Sequence, residues 1–369
     1  MSYQQRIHSL LDRLTDTRLG ALALIPGRSL YYFTGLSFHL MERPVIALFS
    51  GEAELRMVVP ELEQAKAEAA PVNLELFPYG EAEGAALEAL NRAVAGLGLE
   101  GGRIGIEPLS MRFHELDMLQ VAVSRATFVP SEGTIFTLRI RKDESEIAAM
   151  QRAVRIAEAA LEKTLPLIRV NMAEKELASE LTAQMLRAGS EPETPFSPIV
   201  ASGPNSAQGH AVPGDRALAP GDSLVLDWGA AHEGYISDIT RTFFVAEAPE
   251  ELSQVHEIVQ QANAAGRAAV RPGASCGSVD LAARSEIDSA GFGEYFIHRT
   301  GHGIGLEAHE PPYIREGEET VLETGMTFTV EPGVYLPGRG GVRVEDDVVV
   351  TEDGGDSLTT LPREARIVG

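Results

Sequence analysis

Residues 223–245, SLVLDWGAAHEGYISDITRTFFV, constrain this chain more than any other stretch. They read as two β-runs, 224–228 and 235–244, joined by a short turn containing Gly, Ala and Glu. Each run carries one acid among apolar neighbours, Asp227 in the first and Asp238 in the second. A carboxylate buried in an apolar strand is costly unless something pairs with it. Two of them facing each other across a hairpin repel, raise each other's pKa or hold a cation. A bound metal accounts for both.

The same design returns downstream. Residues 326–331, MTFTVE, read as a strand ending in an acid, 332–341 as a turn, and 342–350, VRVEDDVVV, as a return strand with an acid inside. Glu331 and Glu345 are thus the counterparts of Asp227 and Asp238. Two strand–turn–strand units, each donating two carboxylates, predict an internally duplicated domain closing around one centre. Between the units lies 299–310, RTGHGIGLEAHE, which sets His302 and His309 in a glycine-rich loop. Four carboxylates and one imidazole suffice for two divalent ions, because a bridging carboxylate serves both. Oxygen ligands with a single nitrogen and no thiolate favour Mn²⁺, Co²⁺, Fe²⁺ or Zn²⁺ over a structural zinc site or Cu⁺.

At 369 residues the chain exceeds one average domain and suggests two. A net charge of -23 argues against a nucleic-acid backbone or an anionic membrane as partner. The lone cysteine, Cys276, excludes an internal disulfide framework, fits a reducing cytoplasm and reads as a small buried hydrophobe. The opening MSYQQRIHSLLDRL has no apolar core, so no signal peptide is expected. No apolar run approaches the ~20 residues that a membrane span needs.

Along the chain, an amphipathic helix is expected over 7–14, then β-runs at 21–25, 30–34, 45–50 and 55–59. Helical patterns follow at 62–70, 84–97 and 111–123, with a further strand at 103–107. This alternation predicts an α/β domain over residues 1–138. It holds no constellation of metal ligands or of nucleophile and base. The second domain, 139–369, begins where Asp143 and Glu146 form a capping-box pattern ahead of a long amphipathic helix. Asn171 and Glu174 repeat that signature. The Pro/Gly/Ser-rich stretch 194–223 then leads into the first Asp hairpin, and long loops in compact domains are often functional.

With Asp227, Asp238, His302, Glu331 and Glu345 in this order and these contexts, the chain resembles the pita-bread metallopeptidases. That family includes methionine aminopeptidase, aminopeptidase P, prolidase and creatinase. The resemblance covers the whole second domain, and the two-domain layout is similar to aminopeptidase P and prolidase. It implies a creatinase-like α/β N-terminal domain followed by an α+β pita-bread catalytic domain with internal pseudo-two-fold symmetry. The family's dinuclear ligands fall on those five residues without substitution, whereas creatinase and the non-catalytic relatives have lost them. Two divalent ions per chain are implied, manganese first, with cobalt, zinc or iron as alternatives. The resemblance also assigns His210, seventeen residues before Asp227, and His309, seven after His302, to places beside the substrate. Glu331 is the implied proton carrier. The expected activity is cleavage of Xaa-Pro bonds in proline-containing peptides, most of all dipeptides, with aminopeptidase P action on longer peptides as the alternative.

Side chains at i and i+2 of a strand share a face, which sets Arg343 beside Glu345, Thr240 beside Asp238 and Thr329 beside Glu331. Arg343 is therefore a candidate for substrate binding, and the threonines for bracing the ligands. One departure from the resemblance matters. Many prolidases carry an arginine shortly after the second histidine, to hold the dipeptide's carboxylate; here the segment is HEPPYIREG, with Tyr313 near that place. Arg315, Arg343 or Arg339 is then the candidate substitute. Related chains are commonly homodimers in which an N-terminal loop nears the neighbour's catalytic domain. The loop 36–44, LSFHLMERP, following an aromatic strand, is placed in that role, with His39 or Arg43 reaching the partner's site.

Overall fold

Ser2 opens the first helix with a reciprocal cap: its hydroxyl accepts from the Gln5 N–H, while the Gln5 side chain accepts from the Ser2 N–H at 2.8 Å. This helix, α1 (Tyr3–Asp16), buries Ile7, Leu10 and Leu14. The structure, a computed structural model, describes residues 1–51 and 54–369. They form two units, Met1–Arg139 and Ile140–Gly369.

In the first unit α1 is followed by β1 (Ala21–Leu24), α2 (Arg28–Thr34), β2 (Ile46–Ser50), β3 (Glu54–Pro60), α3 (Gln64–Glu68), β4 (Glu75–Tyr79), α4 (Ala85–Val94), β5 (Arg103–Ile106), α5 (Phe113–Ala122), β6 (Thr127–Pro130) and α6 (Glu132–Arg139). The strands make one mixed sheet in the order β4-β3-β2-β1-β5-β6. Ile46, Leu48 and Val58 from the sheet pack with Ala89, Leu90 and Leu119 from α4 and α5. The run 30–34, expected as a strand, is instead α2, closed where the Gly35 N–H donates to the Tyr31 carbonyl at 2.8 Å. Leu30, Tyr32, Phe33 and Thr34 are all buried, and a short run buried all round has no period to tell helix from strand. On the loop after α2, His39 is exposed, Phe38 is buried, and Arg43 pairs with Glu42 and Glu81 at 2.8 and 2.9 Å.

The first helix of the second unit starts at the Asp143 cap, whose carboxylate accepts from Glu146 N at 3.0 Å while Glu146 accepts from Asp143 N at 2.9 Å. Helices α7 (Glu144–Thr164) and α8 (Glu174–Ala188) pair with each other, and further on α9 (Glu250–Ala269) pairs with α10 (Cys276–Ser289). Cys276 is buried at the start of α10. The signature at Asn171 and Glu174 is not a cap: Ala173 holds the N-cap position, Asn171 has φ 67, and Glu174 turns into the protein.

Between the helix pairs lie β7 (Ile199–Ser202), β8 (Ser223–Trp228), β9 (Ala231–His232), β10 (Tyr235–Ile236), β11 (Ile239–Val245), β12 (Gly301–Gly303), β13 (Glu310–Ile314), β14 (Thr327–Val330), β15 (Gly333–Leu336), β16 (Gly340–Arg343), β17 (Asp346–Val350), β18 (Gly355–Ser357) and β19 (Arg366–Val368). Two sheets result, β19-β11-β8-β7 and β13-β12-β14-β17-β18, with small ladders β10-β9 and β15-β16. The first helix pair packs beside β7, β9 and β10 and the second beside β13 to β16 and β18, so the layout repeats as the two hairpins predict. Trp228 ties the first half together by donating its indole N–H to the Ala157 carbonyl at 2.9 Å. Val255, Val259 and Ala262 of α9 seal against Val334, Leu336 and Val342. The expected continuous runs 235–244 and 342–350 are each interrupted: residues 237–238 separate β10 from β11, and 344–345 separate β16 from β17. Among the described residues no helix is long and apolar enough to cross a membrane.

Candidate metal centre

The two sheets bring Asp227, Asp238, His302, Glu331 and Glu345 to one cavity of about 740 Å³, which His210, His309 and Arg343 also line. Asp227 lies within β8, opposite Thr240 of β11. Asp238 sits in the break before β11, and its backbone N–H donates to Asp347 Oδ2 at 3.0 Å. Glu345 sits in the break before β17, where its N–H donates to the Thr240 carbonyl at 3.1 Å. Glu331 follows the last residue of β14 and donates its N–H to the Thr300 carbonyl at 2.7 Å. His302 is held in β12 by Thr329 Oγ1, which accepts from its N–H at 3.1 Å. Gly301 beside it must be glycine, since a Cβ there would lie 1.8 Å from the Thr329 carbonyl oxygen.

The side chains converge. Asp238, His302 and Glu345 each offer a ligand atom, and these atoms lie within 4.8 Å of one another. His302 Nε2 is 3.2 Å from Glu331 Oε1 and 3.8 Å from Asp238 Oδ2. Thr329 Oγ1 donates to Glu331 Oε1 at 3.2 Å, as their shared strand face predicts. Two neighbours differ from the i, i+2 expectation because the strands are broken between them. Thr240 donates to Glu345 Oε2 at 2.5 Å rather than to Asp238, and Arg343 Nη2 donates to Asp227 Oδ2 at 2.5 Å rather than to Glu345.

The electrostatics fit a cation site. Burial, then the charges of Glu345 and Asp227, push the Asp238 carboxyl well above the ordinary carboxylate range. Burial, then Glu331 and Asp227, do the same to Glu345. Asp227 is also raised by burial, with Arg343 opposing and Glu331 adding to the rise. Burial pushes Glu331 up too, but the hydrogen bond and charge of His302, with His298 and Arg343, outweigh it and hold the carboxyl at about 2. Asp227 Oδ1 is buried without a hydrogen-bond partner. Crowded acids that resist ionisation, an orphaned carboxylate oxygen and an imidazole nitrogen facing them are a donor set that divalent cations complete.

Such a constellation in a two-unit chain can be compared with known proteins. Residues 148–352 match the model of metallopeptidase family M24, and residues 6–141 match the creatinase/prolidase N-terminal domain. The chain belongs to metallopeptidase family M24. Its second unit is the pita-bread fold of this peptidase family. It is 33% identical over 364 residues to the Xaa-Pro dipeptidase of Pyrococcus horikoshii, covering 98% of each chain. A crystal structure of a dipeptidase from Pyrococcus horikoshii OT3 superposes with a TM-score of 0.92 at 40% identity, over 98% of this chain and 100% of that one. The X-Pro aminopeptidase from Thermotoga maritima superposes with a TM-score of 0.86 at 31% identity, over 98% and 99%.

The flanking residues divide into two groups. His309 lies against His302, ring centres 4.0 Å apart and planes tilted by 56°, and burial, then the charges of His302 and Arg299, hold its pKa down to about 4. The His210 loop is anchored by buried Glu174, which accepts from Ser202 N at 2.8 Å and Gly214 N at 3.2 Å. The loop carrying His309 is anchored by a buried ion pair, Lys142 Nζ to Glu310 Oε1 at 2.7 Å. Arg343 lines the cavity, but each of its three nitrogens donates within the protein: to Asp227, to Thr240 Oγ1 at 3.0 Å, and to Tyr335 OH at 2.8 Å and the Gly209 carbonyl at 3.2 Å. It is a brace and a countercharge for Asp227.

Tyr313, expected to bind substrate, is not among the cavity-lining residues; it pairs with His302 across the β12–β13 ladder. Arg315 pairs with Glu318 at 3.0 Å and Arg339 with Glu251, both outside the cavity lining. His39 belongs to the N-terminal unit. Of the titratable cavity residues, Tyr335 and Arg299 had no role in the sequence reading, while His298, expected to be structural or to support the ligands, sets its Nε2 2.9 Å from Tyr335 OH. Arg299 precedes His302 by three in RTGH, the one signal that could have drawn attention to it.

Proposed function

We propose that this chain hydrolyses Xaa-Pro peptide bonds, with dipeptides as its main substrates, and that Asp227, Asp238, His302, Glu331 and Glu345 hold two divalent ions, manganese by preference. One observation carries the reading: four carboxylates and the His302 imidazole face one cavity, with Arg343 on Asp227 Oδ2 and Asp227 Oδ1 buried without a partner. The Xaa-Pro dipeptidase of Pyrococcus horikoshii, similar over its full length, supports the substrate class.

Divalent ions in this site would supply Lewis acidity toward the scissile carbonyl and lower the pKa of water. The protein groups do the rest. Glu331, ionised at neutral pH, takes a proton from the water whose oxygen bonds to the carbonyl carbon and passes it to the proline nitrogen as the C–N bond breaks. His309, neutral because its pKa is held near 4, donates a ring N–H to the oxygen that gains negative charge, and His210 does so from the opposite loop. Arg343 fixes Asp227, and through Thr240 it fixes Glu345. The broken strands aim the ligands inward. The proline ring, with its fixed φ and absent N–H, suits a cavity of this size better than an extended protease cleft.

Cleavage of longer peptides is the second reading, supported by the likeness to the Thermotoga maritima X-Pro aminopeptidase. Rates over Xaa-Pro dipeptides and Xaa-Pro-Yaa tripeptides, with defined metal added to chelated protein, separate the two. No hydrolysis of either under any divalent metal refutes both. The reading further takes residues 1–138 as a substrate-shaping or assembly domain, 139–369 as the catalytic domain, and the working form as a cytoplasmic homodimer to which His39 lends a substrate contact. Arg43 is set aside because Glu42 and Glu81 already engage it. Light scattering tests the dimer, and His39→Ala assayed on both peptide lengths tests the contact.

A further inference from the structure

Between β18 and β19, residues 358–363 form no regular element, yet Leu358, Thr359 and Leu361 are buried. A buried irregular backbone must find partners for its polar groups, and here two charged side chains supply them. On one oxygen, Glu158 of α7 accepts the Thr360 N–H at 2.5 Å and the Leu361 N–H at 3.0 Å; its other oxygen accepts the Thr360 hydroxyl at 2.8 Å. Arg241 of β11, about 3% exposed, donates to the Pro362 carbonyl at 2.9 Å and the Leu361 carbonyl at 3.0 Å. None of these residues lines the candidate metal cavity.

The same groups reach the backs of two proposed ligands. Arg241 directs its remaining N–H groups to the Thr240 carbonyl at 2.8 Å, the Glu345 carbonyl at 2.6 Å and Asp346 Oδ1 at 2.8 Å. Its five bonds use every donor of a guanidinium, so one rigid plane holds both the segment and the break at Glu345. Thr359 acts on the other break. Its hydroxyl accepts the Asp347 N–H at 3.1 Å, the Asp347 carbonyl accepts the Leu358 N–H at 2.8 Å, and Asp347 Oδ2 accepts the Asp238 N–H at 3.0 Å. Arg363 closes the hub from the same segment by donating to Asp346 Oδ2 at 2.7 Å. We propose that segment 358–363 is a latch behind the metal centre, setting the aim of Glu345 through Arg241 and that of Asp238 through Asp347. Metal affinity then depends on residues that touch neither metal nor substrate. This rests on the proposed ligand set and adds Glu158, Arg241 and Thr359 to it as positioning residues.

The test titrates chelated, metal-free protein with Co²⁺, read by calorimetry and by the visible absorption that reports ligand geometry at cobalt. Thr359→Val, which keeps the shape and loses the acceptor, should weaken Co²⁺ binding by on the order of 10-fold and change the absorption. Glu158→Ala, which frees the segment from α7, should do the same. Glu158→Gln, which keeps the oxygen that accepts the two N–H groups, should recover most of the affinity. Arg241→Lys keeps the charge but not the fork, and should weaken binding by on the order of 100-fold. Global stability is a separate quantity: Leu177→Ala, a change in the fully buried face of α8, should lower the urea midpoint and leave Co²⁺ affinity unchanged. Thr359→Val is the mildest change and carries the test if Glu158→Ala and Arg241→Lys do not fold. Lost stability with unchanged Co²⁺ affinity and absorption in the latch variants overturns the latch, since the segment would then only hold the fold, and the ligand set stands. A wild-type protein that binds neither Co²⁺ nor Mn²⁺ overturns the ligand set and the latch together.

Discussion

His256 offers a stability prediction that rests mainly on burial. It lies on α9, about 1% exposed, edge-on to Phe244 with ring centres 6.2 Å apart. Burial, then the charge of Arg241, lowers its pKa from 6.5 to about 4, with Glu364 opposing weakly. The folded protein therefore holds this imidazole neutral, while the unfolded chain protonates it as the pH falls through 6.5. Stability is complete above that value, declines between 6.5 and about 4, and levels off below. At about 1.4 kcal/mol per pH unit the loss is about 2 kcal/mol by pH ~5 and about 3 kcal/mol in full. Urea unfolding of wild type and His256→Leu over this range isolates the term, because metal release and other titrations are common to both proteins. The variant's stability should fall less than the wild type's by about 2 kcal/mol between pH ~7 and ~5. Parallel curves would refute the reasoning, since they would mean that the folded protein accepts the proton as readily as the unfolded chain.

Asp238→Ala should remove both bound metal and turnover, read by elemental analysis and peptide hydrolysis; full activity in verified metal-free protein would contradict the metal assignment. His309→Ala and His210→Ala should each lower kcat by on the order of 10²-fold with metal content retained, and loss of metal from either would make that histidine a ligand. Arg343→Met leaves Asp227 buried without its countercharge and should destabilise metal-free protein by about 3–5 kcal/mol in urea unfolding, less once metal is added. Lys142→Met, which strands buried Glu310 beside His309, should cost a similar amount, and its effect on kcat should shrink in a His309→Ala background if the ion pair acts through that loop.

That Asp227, Asp238, Glu331 and Glu345 share one cavity was legible because a charge in an apolar β-run is so unfavourable that few arrangements explain it; His302 was legible from its place between the two hairpins. The capping box at Asp143 and Glu146 was legible for a similar reason: it is local and reciprocal. The signature at Asn171 and Glu174 looked the same but failed, since Glu174 finds better acceptor work inside, taking the N–H groups of Ser202 and Gly214. That partnership spans 28 and 40 residues and leaves no local trace. The misread run 30–34 lacked any exposed face to give it a period.

The strand breaks explain why the geometry of the proposed ligands was harder to read than their convergence on one cavity. A regular strand points i and i+2 the same way, which would set Asp238 beside Thr240 and Arg343 beside Glu345. In the structure Asp238, Glu331 and Glu345 all lie just outside regular strand, where the pleat no longer dictates direction. A break exposes backbone polar groups that must find partners when buried. Each of the three N–H groups does: Asp238 to the Asp347 carboxylate, Glu331 to the Thr300 carbonyl and Glu345 to the Thr240 carbonyl. The Glu345 bond joins the two halves directly, since Thr240 belongs to the first hairpin and Glu345 to the second. The Asp238 bond does the same in the opposite sense, the first hairpin's amide meeting the second's acid. Each half thus satisfies a break in the other. The site forms where the halves cross-brace, so a ligand's aim depends on a residue about a hundred positions away.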